Sequence, residues 1–359
     1  MTSHPSLPAL QRAVIQDANG RAQAADNLPL PQLFPGTVLV KTMAISLNPS
    51  DYKMGNRFPS PGSVIGNDFA GAVVAIGPKT STALSVGDLV FGMVHGSNPA
   101  DGANGAFAQY VRVPSEFALR VPTGWRPEQA AALGVGLVIN CLALWGNALA
   151  LEPCPDSPAQ EPIPVLVYGG STATGTMAIQ LLRLSNLDPI ATCSPRNFDM
   201  VKGYGAATVF DYSQPDTAER IRKHTGGQLS YALDCITDRD SVGCCYASIG
   251  RTGGRYVCLE LCAQELQTRR AVKANFPIAY EIFGEDIQLS GGYERKGNRK
   301  TRADAVNWFN MLQGLLDEGK LRTHPLQVLT GGLDGIPKGL DLLKSGAVSG
   351  KKLVVLIDP

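Results

Sequence analysis

The segment Val165-Leu-Val-Tyr-Gly169-Gly170-Ser171-Thr172-Ala173-Thr174-Gly175 constrains the fold more than any other part of the chain. It carries an apolar strand into a glycine-bounded turn, and a helix is predicted from about Thr176, with Met177, Ile179 and Leu181 on its apolar face. Gly169 permits the tight turn, and Gly175 lets the helix pack closely on the strand. The first N–H groups of the helix are then free to hold an anion such as a pyrophosphate. Many α/β chains turn on glycine, so the loop gains weight from its setting. Residues 190–193, 208–210, 231–234, 254–259 and 287–291 also read as strands, alternating with helical stretches. With residues 165–168 they make six parallel strands of a doubly wound α/β sheet.

Sheets of this kind that bind NAD hold the adenosine ribose with an acidic residue about twenty positions past the loop. Here that stretch reads Cys193-Ser194-Pro195-Arg196-Asn197. It offers no carboxylate to a ribose 2′-hydroxyl, whereas Arg196, with Ser194 and Lys202, offers charge and donors to a 2′-phosphate. The expected cofactor is therefore NADPH; the alternative is that Arg196 is simply a solvated surface residue. Tyr212, just past the third strand, reads either as a wall of the adenosine end or as a packed tyrosine with a wet hydroxyl.

A chain of 359 residues exceeds the roughly 250 at which single cores stop growing, so a second domain is expected. Residues 37–44, 70–76, 89–91 and 108–113 are short β-branched runs between Gly and Pro turns, which makes the N-terminal part mostly β. Helical periodicity returns at residues 303–318, with Val306, Phe309, Leu312 and Leu316 on one face, and strand character at 352–357. The C-terminal segment is thus expected to fold back on the first domain. That domain would comprise residues 1–129 and 300–359, around a nucleotide-binding domain of residues 130–299. Five prolines in the stretch from Glu152 through Pro164 preclude regular structure there and mark an exposed insert.

A formal net charge of +1, with no long basic run, argues against nucleic acid as a partner. Residues 1–12 carry polar residues and prolines where a secretory signal needs a basic and then an apolar region, so a cytoplasmic location is expected. The uncharged stretch 129–151 has the length of a membrane span, but Gly134, Gly136, Asn140, Gly146 and Asn147 interrupt it, and a buried helix is the better reading. All eight cysteines lie between Cys141 and Cys262 without paired zinc-ribbon spacing, so buried reduced thiols and no metal are expected.

Five motifs together resemble the medium-chain dehydrogenase/reductase superfamily, in its zinc-free branch of quinone oxidoreductases and enoyl reductases. They are Asn48-Pro-Ser-Asp-Tyr-Lys-Met-Gly55, Val64-Ile-Gly-Asn-Asp-Phe-Ala-Gly71-Ala-Val-Val-Ala-Ile-Gly77, Val86-Gly-Asp-Leu-Val-Phe-Gly92, Gly105-Ala-Phe-Ala-Gln-Tyr110 and the glycine loop. The resemblance covers nearly the whole chain and implies a Rossmann sheet beside a mostly β, GroES-like catalytic domain. Zinc-dependent relatives carry Gly-His-Glu where this chain has Gly66-Asn67-Asp68. Asp68 alone cannot hold zinc, and His95 reads as an ordinary loop histidine. Lys53, Gly169-Gly-Ser-Thr-Ala-Thr174, Ala191-Thr-Cys-Ser-Pro195 with Asn197-Phe198, Tyr231-Ala-Leu-Asp-Cys-Ile236, Ile282-Phe-Gly-Glu285 and His324-Pro-Leu326 are similar to the trans-acting enoyl reductases that serve fungal polyketide synthases.

By that resemblance, cofactor contacts fall on Ser50, Asp51, Tyr52, Lys53, Gly169, Gly170, Ser171, Thr172, Ala173, Thr174, Gly175, Ser194, Pro195, Arg196, Asn197, Tyr212, Leu259, Glu260, Val348 and Ser349. Substrate contacts fall on Gly136, Leu137, Val138, Ile139, Asn140, Cys141, Leu142, Ala143, Tyr280, Glu281, Ile282, Phe283 and Gly284. The implied reaction moves hydride from NADPH to the α,β-unsaturated thioester of a polyketide chain carried by the acyl carrier protein of a separate synthase, with no membrane involved and a monomer favoured over a dimer. A stand-alone NADPH-dependent quinone or alkenal reductase shares these motifs, and a noncatalytic nucleotide-binding protein is the alternative of another class. Charge builds on the thioester oxygen during enoyl reduction. Lys53 is the expected catalytic group, either as a donor to that oxygen or as a ligand of the nicotinamide ribose. Asp51 also fits a simple turn. Val135 stands where a hydroxyl residue is expected near the nicotinamide, no His or Tyr makes a persuasive general acid, and His324 reads as structural.

Overall fold

The structure is a computed structural model that describes residues 7–357; of the N-terminal segment read above, residues 1–6 lie outside the described residues. The chain opens on a hairpin that the sequence pattern does not single out, β1 (Leu10–Gln16) and β2 (Ala22–Pro29). β3 (Thr37–Ser46) follows, its β-branched residues almost all buried. Helix α1 (Pro49–Arg57) starts on Pro49, whose fixed φ suits a first turn, and the Asp51 carboxylate accepts the Asn48 N–H at 2.7 Å. β4 (Asp68–Ile76), β5 (Leu89–Met93), β6 (Tyr110–Pro114) and β7 (Leu119–Arg120) complete the N-terminal part of a mainly antiparallel sheet. Two helices, α2 (Pro127–Ala131) and α3 (Gly134–Leu144), carry the chain into the second half. They are the one stretch among the described residues long and apolar enough to raise the question of a membrane, and 72% of it is buried inside the protein. Its length is thus accounted for by core packing.

The second half winds β8 (Pro164–Tyr168), α4 (Ala173–Leu184), β9 (Asp188–Cys193), α5 (Phe198–Gly203), β10 (Thr208–Asp211), α6 (Thr217–His224), β11 (Tyr231–Asp234), α7 (Arg239–Ser248), β12 (Gly254–Cys258) and β13 (Val272–Asn275) into a parallel sheet of order β10-β9-β8-β11-β12-β13. The order reverses between β8 and β11, and at such a reversal a crevice opens outside the carboxyl ends of the strands. Side chains pack on both faces: Leu166, Ile221, Val242 and Tyr256 belong to one core, Val165, Val167, Met177 and Ile179 to the other. The second core continues through α3 into the antiparallel sheet, so the two sheets share buried apolar material.

Two expectations need correction. The sixth strand is Val272–Asn275, not residues 287–291; there Ile287 makes only an isolated bridge with Arg295. Gly291 and Gly292 both take positive φ, which ends the run, while the polar-looking Lys273 and Asn275 suit a half-exposed edge. Helix α4 begins at Ala173 rather than near Thr176, because the Thr172 hydroxyl caps it by accepting the Gly175 N–H at 2.9 Å.

The chain then runs through α8 (Arg299–Asp317), β14 (Leu326–Leu329), α9 (Gly332–Lys344) and β15 (Lys352–Leu356). β15 pairs antiparallel with β3 and parallel with β14, which seats the C-terminal strands in the first sheet. The proline-rich insert holds no helix or longer strand, only a bridge between Cys154 and Ser157, and the Trp145 indole N–H donates to Pro153 O at 2.9 Å.

Candidate active site

At the reversal point the turn after β8 is tied on both sides. The Gly170 N–H donates to Thr192 O at 2.9 Å, and the Thr172 hydroxyl donates to Gly169 O at 2.9 Å. Gly169 has φ +80°, a conformation that favours glycine, and any side chain at Gly175 would lie 2.4 Å from Gly169 O. The N–H groups of Ser171, Ala173 and Thr174 have no acceptor among the described residues. Three free donors at the start of a twelve-residue helix, beside backbone that leaves no room for a side chain, fit a dinucleotide pyrophosphate. Behind them Asn140 Nδ2, in α3, donates to Thr174 O at 3.0 Å and to Gly136 O at 2.8 Å, locking α3 to the loop. His324, buried, bonds through Nδ1 with Thr176 Oγ1 at 3.0 Å. Burial, and then the charge of Lys352, lowers its pKa to about 4, so it stays neutral.

Among the residues expected to hold the adenosine end, Ser194 Oγ lies 3.1 Å from Tyr212 OH, and Asn197 Nδ2 donates to Ser349 Oγ at 3.5 Å. The structure therefore brings together, from three separate stretches, residues that the sequence offered only as a string of positions. Pro195 and Arg196 are exposed on a short 3-10 turn, Val348 is half-buried, and Arg196 makes no ion pair among the described residues. Tyr212 is 48% exposed and tilts 6.2 Å from the Tyr168 ring.

Across the crevice, α1 presents Tyr52, half-buried, and Lys53, whose Nζ lies 2.9 Å from Glu260 Oε2. Glu260 follows Leu259 at the end of β12 and also binds Arg57 at 2.8 Å and the Tyr293 hydroxyl. Burial raises the Glu260 carboxyl, but the bonds from Tyr293, Lys53 and Arg57 outweigh it and bring the pKa down to about 2. The lysine expected to face substrate is thus engaged with an acidic residue of the opposite domain. Arg57 and Tyr293 went unnoticed in the sequence because neither belongs to a motif; only a tyrosine after two glycines hinted at a placed side chain.

Beneath α1 lies a second polar cluster, fully enclosed. Asp68, 0% exposed, accepts at Oδ2 from Ser46 Oγ (2.9 Å), Asn48 Nδ2 (2.8 Å) and Lys352 Nζ (3.2 Å), and at Oδ1 from the Val135 N–H (2.6 Å). Lys352 also reaches Asn48 Oδ1. Asp51, equally buried, accepts from the Asn48 N–H and, at 2.6 Å, from Asn67 Nδ2. Burial, offset in part by the Asn48 N–H and reinforced by neighbouring Asp68, raises Asp51 to about 8. Asn67 also bonds the Tyr280 hydroxyl, and the Tyr280 ring stacks on His95 at 3.5 Å. His95 is thus a loop histidine packed against Tyr280; burial brings it to about 3, and its buried Nε2 has no partner among the described residues.

These contacts redistribute the expected site. Asp51 is 2% exposed and its carboxylate accepts from the cap of α1 and from Asn67, so its side chain is turned into the protein and away from the crevice. Of the α3 positions expected to contact substrate, Gly136 alone keeps surface. Leu137, Val138, Ile139, Asn140, Cys141, Leu142 and Ala143 are core, so their side chains are packed inside the protein and not presented to the crevice. Ile282 is likewise core and Glu281 caps its own 3-10 turn at the Ile278 N–H, while Phe283 and Gly284 are half-buried beside it. A zinc ion does not fit the Gly66-Asn67-Asp68 position: Asp68 holds an ammonium and three neutral donors, and among the described residues no three His, Cys, Asp or Glu side chains converge as a metal requires.

Residues 34–123 match the alcohol dehydrogenase GroES-like domain family and residues 173–307 the zinc-binding dehydrogenase family. The chain is 45% identical over 355 residues to the trans-enoyl reductase ccsC of Aspergillus clavatus, covering 98% of this chain and 97% of that one. It is 48% identical over 366 residues to the trans-enoyl reductase TwmE of Talaromyces wortmannii, covering 98% and 99%. Among solved structures it superposes on a putative zinc-dependent alcohol dehydrogenase from Rhizobium etli (TM-score 0.80, 24% identity, 98% and 100% covered) and on a putative NADPH:quinone reductase from Bacillus thuringiensis (0.76, 20%, 98% and 100%). At those identities the superpositions establish the fold.

Proposed function

We propose that this chain, which belongs to the trans-enoyl reductase family of the medium-chain dehydrogenase/reductase superfamily, reduces the enoyl thioester of a polyketide chain held on the acyl carrier protein of a partner synthase, with NADPH as hydride source. The observation that carries this reading over a quinone reductase is the identity of 45–48% along nearly the full length with relatives named trans-enoyl reductases. A bound nicotinamide supplies hydride to the β-carbon of the substrate. The residues of this chain do the rest. Ser171, Ala173 and Thr174 offer N–H groups to the pyrophosphate, and Ser194, Arg196 and Asn197 surround the place of a 2′-phosphate. Lys53 brings an ammonium to the crevice, and the apolar wall backed by α3 and Tyr280 excludes water, which strengthens every charge interaction at the reacting oxygen. The choice of NADPH is supported by the exposed Arg196, which makes no ion pair among the described residues, and by the absence of an acidic residue between Cys193 and Asn197. A domain of residues 1–129 with 300–359, around one of 130–299, agrees with the seating of β14 and β15 in the first sheet. We place the protein in the cytoplasm, working as a monomer beside its synthase.

The test is turnover of purified protein on an enoyl thioester and on a quinone, with NADPH or NADH. Thioester turnover that prefers NADPH is expected; rapid quinone reduction with no thioester turnover would sink the reading. Arg196→Ala should weaken NADPH by about 10- to 100-fold, the range of a bond to a charged group, and leave NADH nearly unchanged. Equal weakening of both would refute the 2′-phosphate assignment.

A further inference from the structure

We propose that Thr237 is a positioning residue for the cofactor: its hydroxyl sets Leu259 and Glu260, at the end of β12, against the nicotinamide half of the dinucleotide. The inference rests on the NADPH reading. β11 ends on Asp234, and the chain turns before α7 begins at Arg239. Thr237 lies in that turn with φ +62°. A β-branched residue is strongly disfavoured there, because its Cβ crowds the following carbonyl, whereas glycine or asparagine takes the conformation readily. Strain of this kind persists only where the surrounding contacts impose it.

Here the buried carboxylate of Asp234 imposes it. Asp234 is 0% exposed, and four donors converge on it. Oδ1 accepts the N–H groups of Ile236 and Thr237, each at 2.9 Å, and Oδ2 accepts the hydroxyls of Ser241 at 2.7 Å and Tyr256 at 2.8 Å. Thr237 Oγ1 in turn donates to Asp234 O at 3.4 Å and accepts the Leu259 N–H at 3.1 Å. β11 and β12 stop pairing at Asp234 and Cys258, so Leu259 is the first residue past the paired strands. Its N–H is held by a side chain in place of a strand carbonyl. Glycine would relax the turn but would bring no hydroxyl to that N–H.

The strand order places this turn beside the cofactor. It leaves β11 at the reversal point, and Ile236 lies against the glycine turn: a Cβ on Gly169 would stand 3.0 Å from Ile236 Cγ1. Ser194, Asn197 and Tyr212 follow β9 and β10, on the other side of β8. A dinucleotide with its pyrophosphate at the start of α4 and its adenosine over β9 and β10 carries its nicotinamide half over β11 and β12, where Leu259 and Glu260 leave the sheet. The peptide that Thr237 holds is thus the one from which Leu259 and then Glu260, the partner of Lys53, project. Thr237 acts through those two residues and takes no part in the chemistry.

Binding of NADPH to the whole chain, followed by nucleotide fluorescence, and thermal unfolding of the same variants test this. Thr237→Gly removes the hydroxyl and relaxes the backbone. It should unfold within about 3 °C of the parent, because relieved strain offsets the lost bond, yet bind NADPH about 5- to 10-fold more weakly, the effect of one lost hydrogen bond. Thr237→Ser keeps both hydroxyl bonds and should bind within about twofold of the parent. Thr237→Val keeps the shape and the strain without an acceptor, so it should lose binding as the Gly variant does and unfold at a lower temperature than the parent. If Thr237→Val does not fold, the Gly and Ser variants decide alone. A parent that binds neither NADPH nor NADH overturns the cofactor reading itself. A parent that binds, with Thr237→Gly equally tight or Thr237→Ser as weak as Thr237→Gly, overturns the Thr237 proposal and leaves the enzyme's function standing.

Discussion

Two carboxylate clusters flank helix α1, and they behave in opposite ways. Below it, Asp51 and Asp68 are enclosed with one ammonium between them, that of Lys352, and Asp51 is pushed up to about 8. Beside it, Glu260 is half-buried but faces two cations and a phenol, and it is held down to about 2. Burial penalises charge in both places. The number of opposing charges within reach decides which carboxylate stays ionised. The lower cluster is thus a fixed part of the architecture, and the upper one is a clasp across the crevice whose members remain reachable by solvent and ligand.

The contrast breaks most severely at Lys352. Lys352→Met would leave Asp68 buried without its cation, and denaturant unfolding should record a loss of about 3–5 kcal/mol. Pairing it with Asp68→Asn should recover much of that, because the uncompensated charge is then gone. A single variant as stable as the parent would remove the enclosed pair from the account.

Asp51 sharpens the comparison through pH. Its folded pKa of about 8 lies above the ordinary carboxylate value of about 3.9, so between these limits the folded state keeps a proton that the unfolded chain has released. This group's contribution is therefore complete below about pH 4 and is lost as pH rises through about 8. Thermal unfolding of Asp51→Asn against the parent should show that decline flattened; an unchanged pH profile would contradict it.

The smallest effect belongs to Glu260. Lys53 and Arg57 are 38% and 44% exposed, so screening limits what Glu260→Gln can cost to about 1 kcal/mol or less. Its sign in pH is opposite to that of Asp51. The folded value lies below the ordinary one, so the contribution is present above about pH 4.3 and is lost as pH falls through about 2. Unfolding of the parent in increasing salt should approach the variant's stability, whereas a salt-independent difference would mean that the clasp is not electrostatic.

Much of the fold could be read locally. The βα alternation after residue 130 and the glycine turn at Gly169 are short-range consequences of side-chain period and backbone freedom, and the paired strands appear close to where the pattern puts them. The failures share a cause. Residues 287–291 alternate like a strand, yet a strand exists only if a neighbour supplies its hydrogen bonds, and the partner for β12 proved to be the more polar Val272–Asn275. The burial of Leu137 to Ala143 behind Gly136 and the exposure of Arg196 were not encoded in spacing either.

The sequence by itself determined that the chain carries a dinucleotide loop with a downstream Arg in place of an acid, and no zinc ligands in the Gly66 motif. Backbone conformation and residue chemistry act there within a few positions. Only the tertiary structure decided that Lys352, 284 positions from Asp68, is its counter-ion, that Glu260 holds Lys53, and that Asn67 donates to Ser50. Each of these is a contact between segments far apart in the chain. Its energy depends on burial and distance, which a linear pattern does not contain.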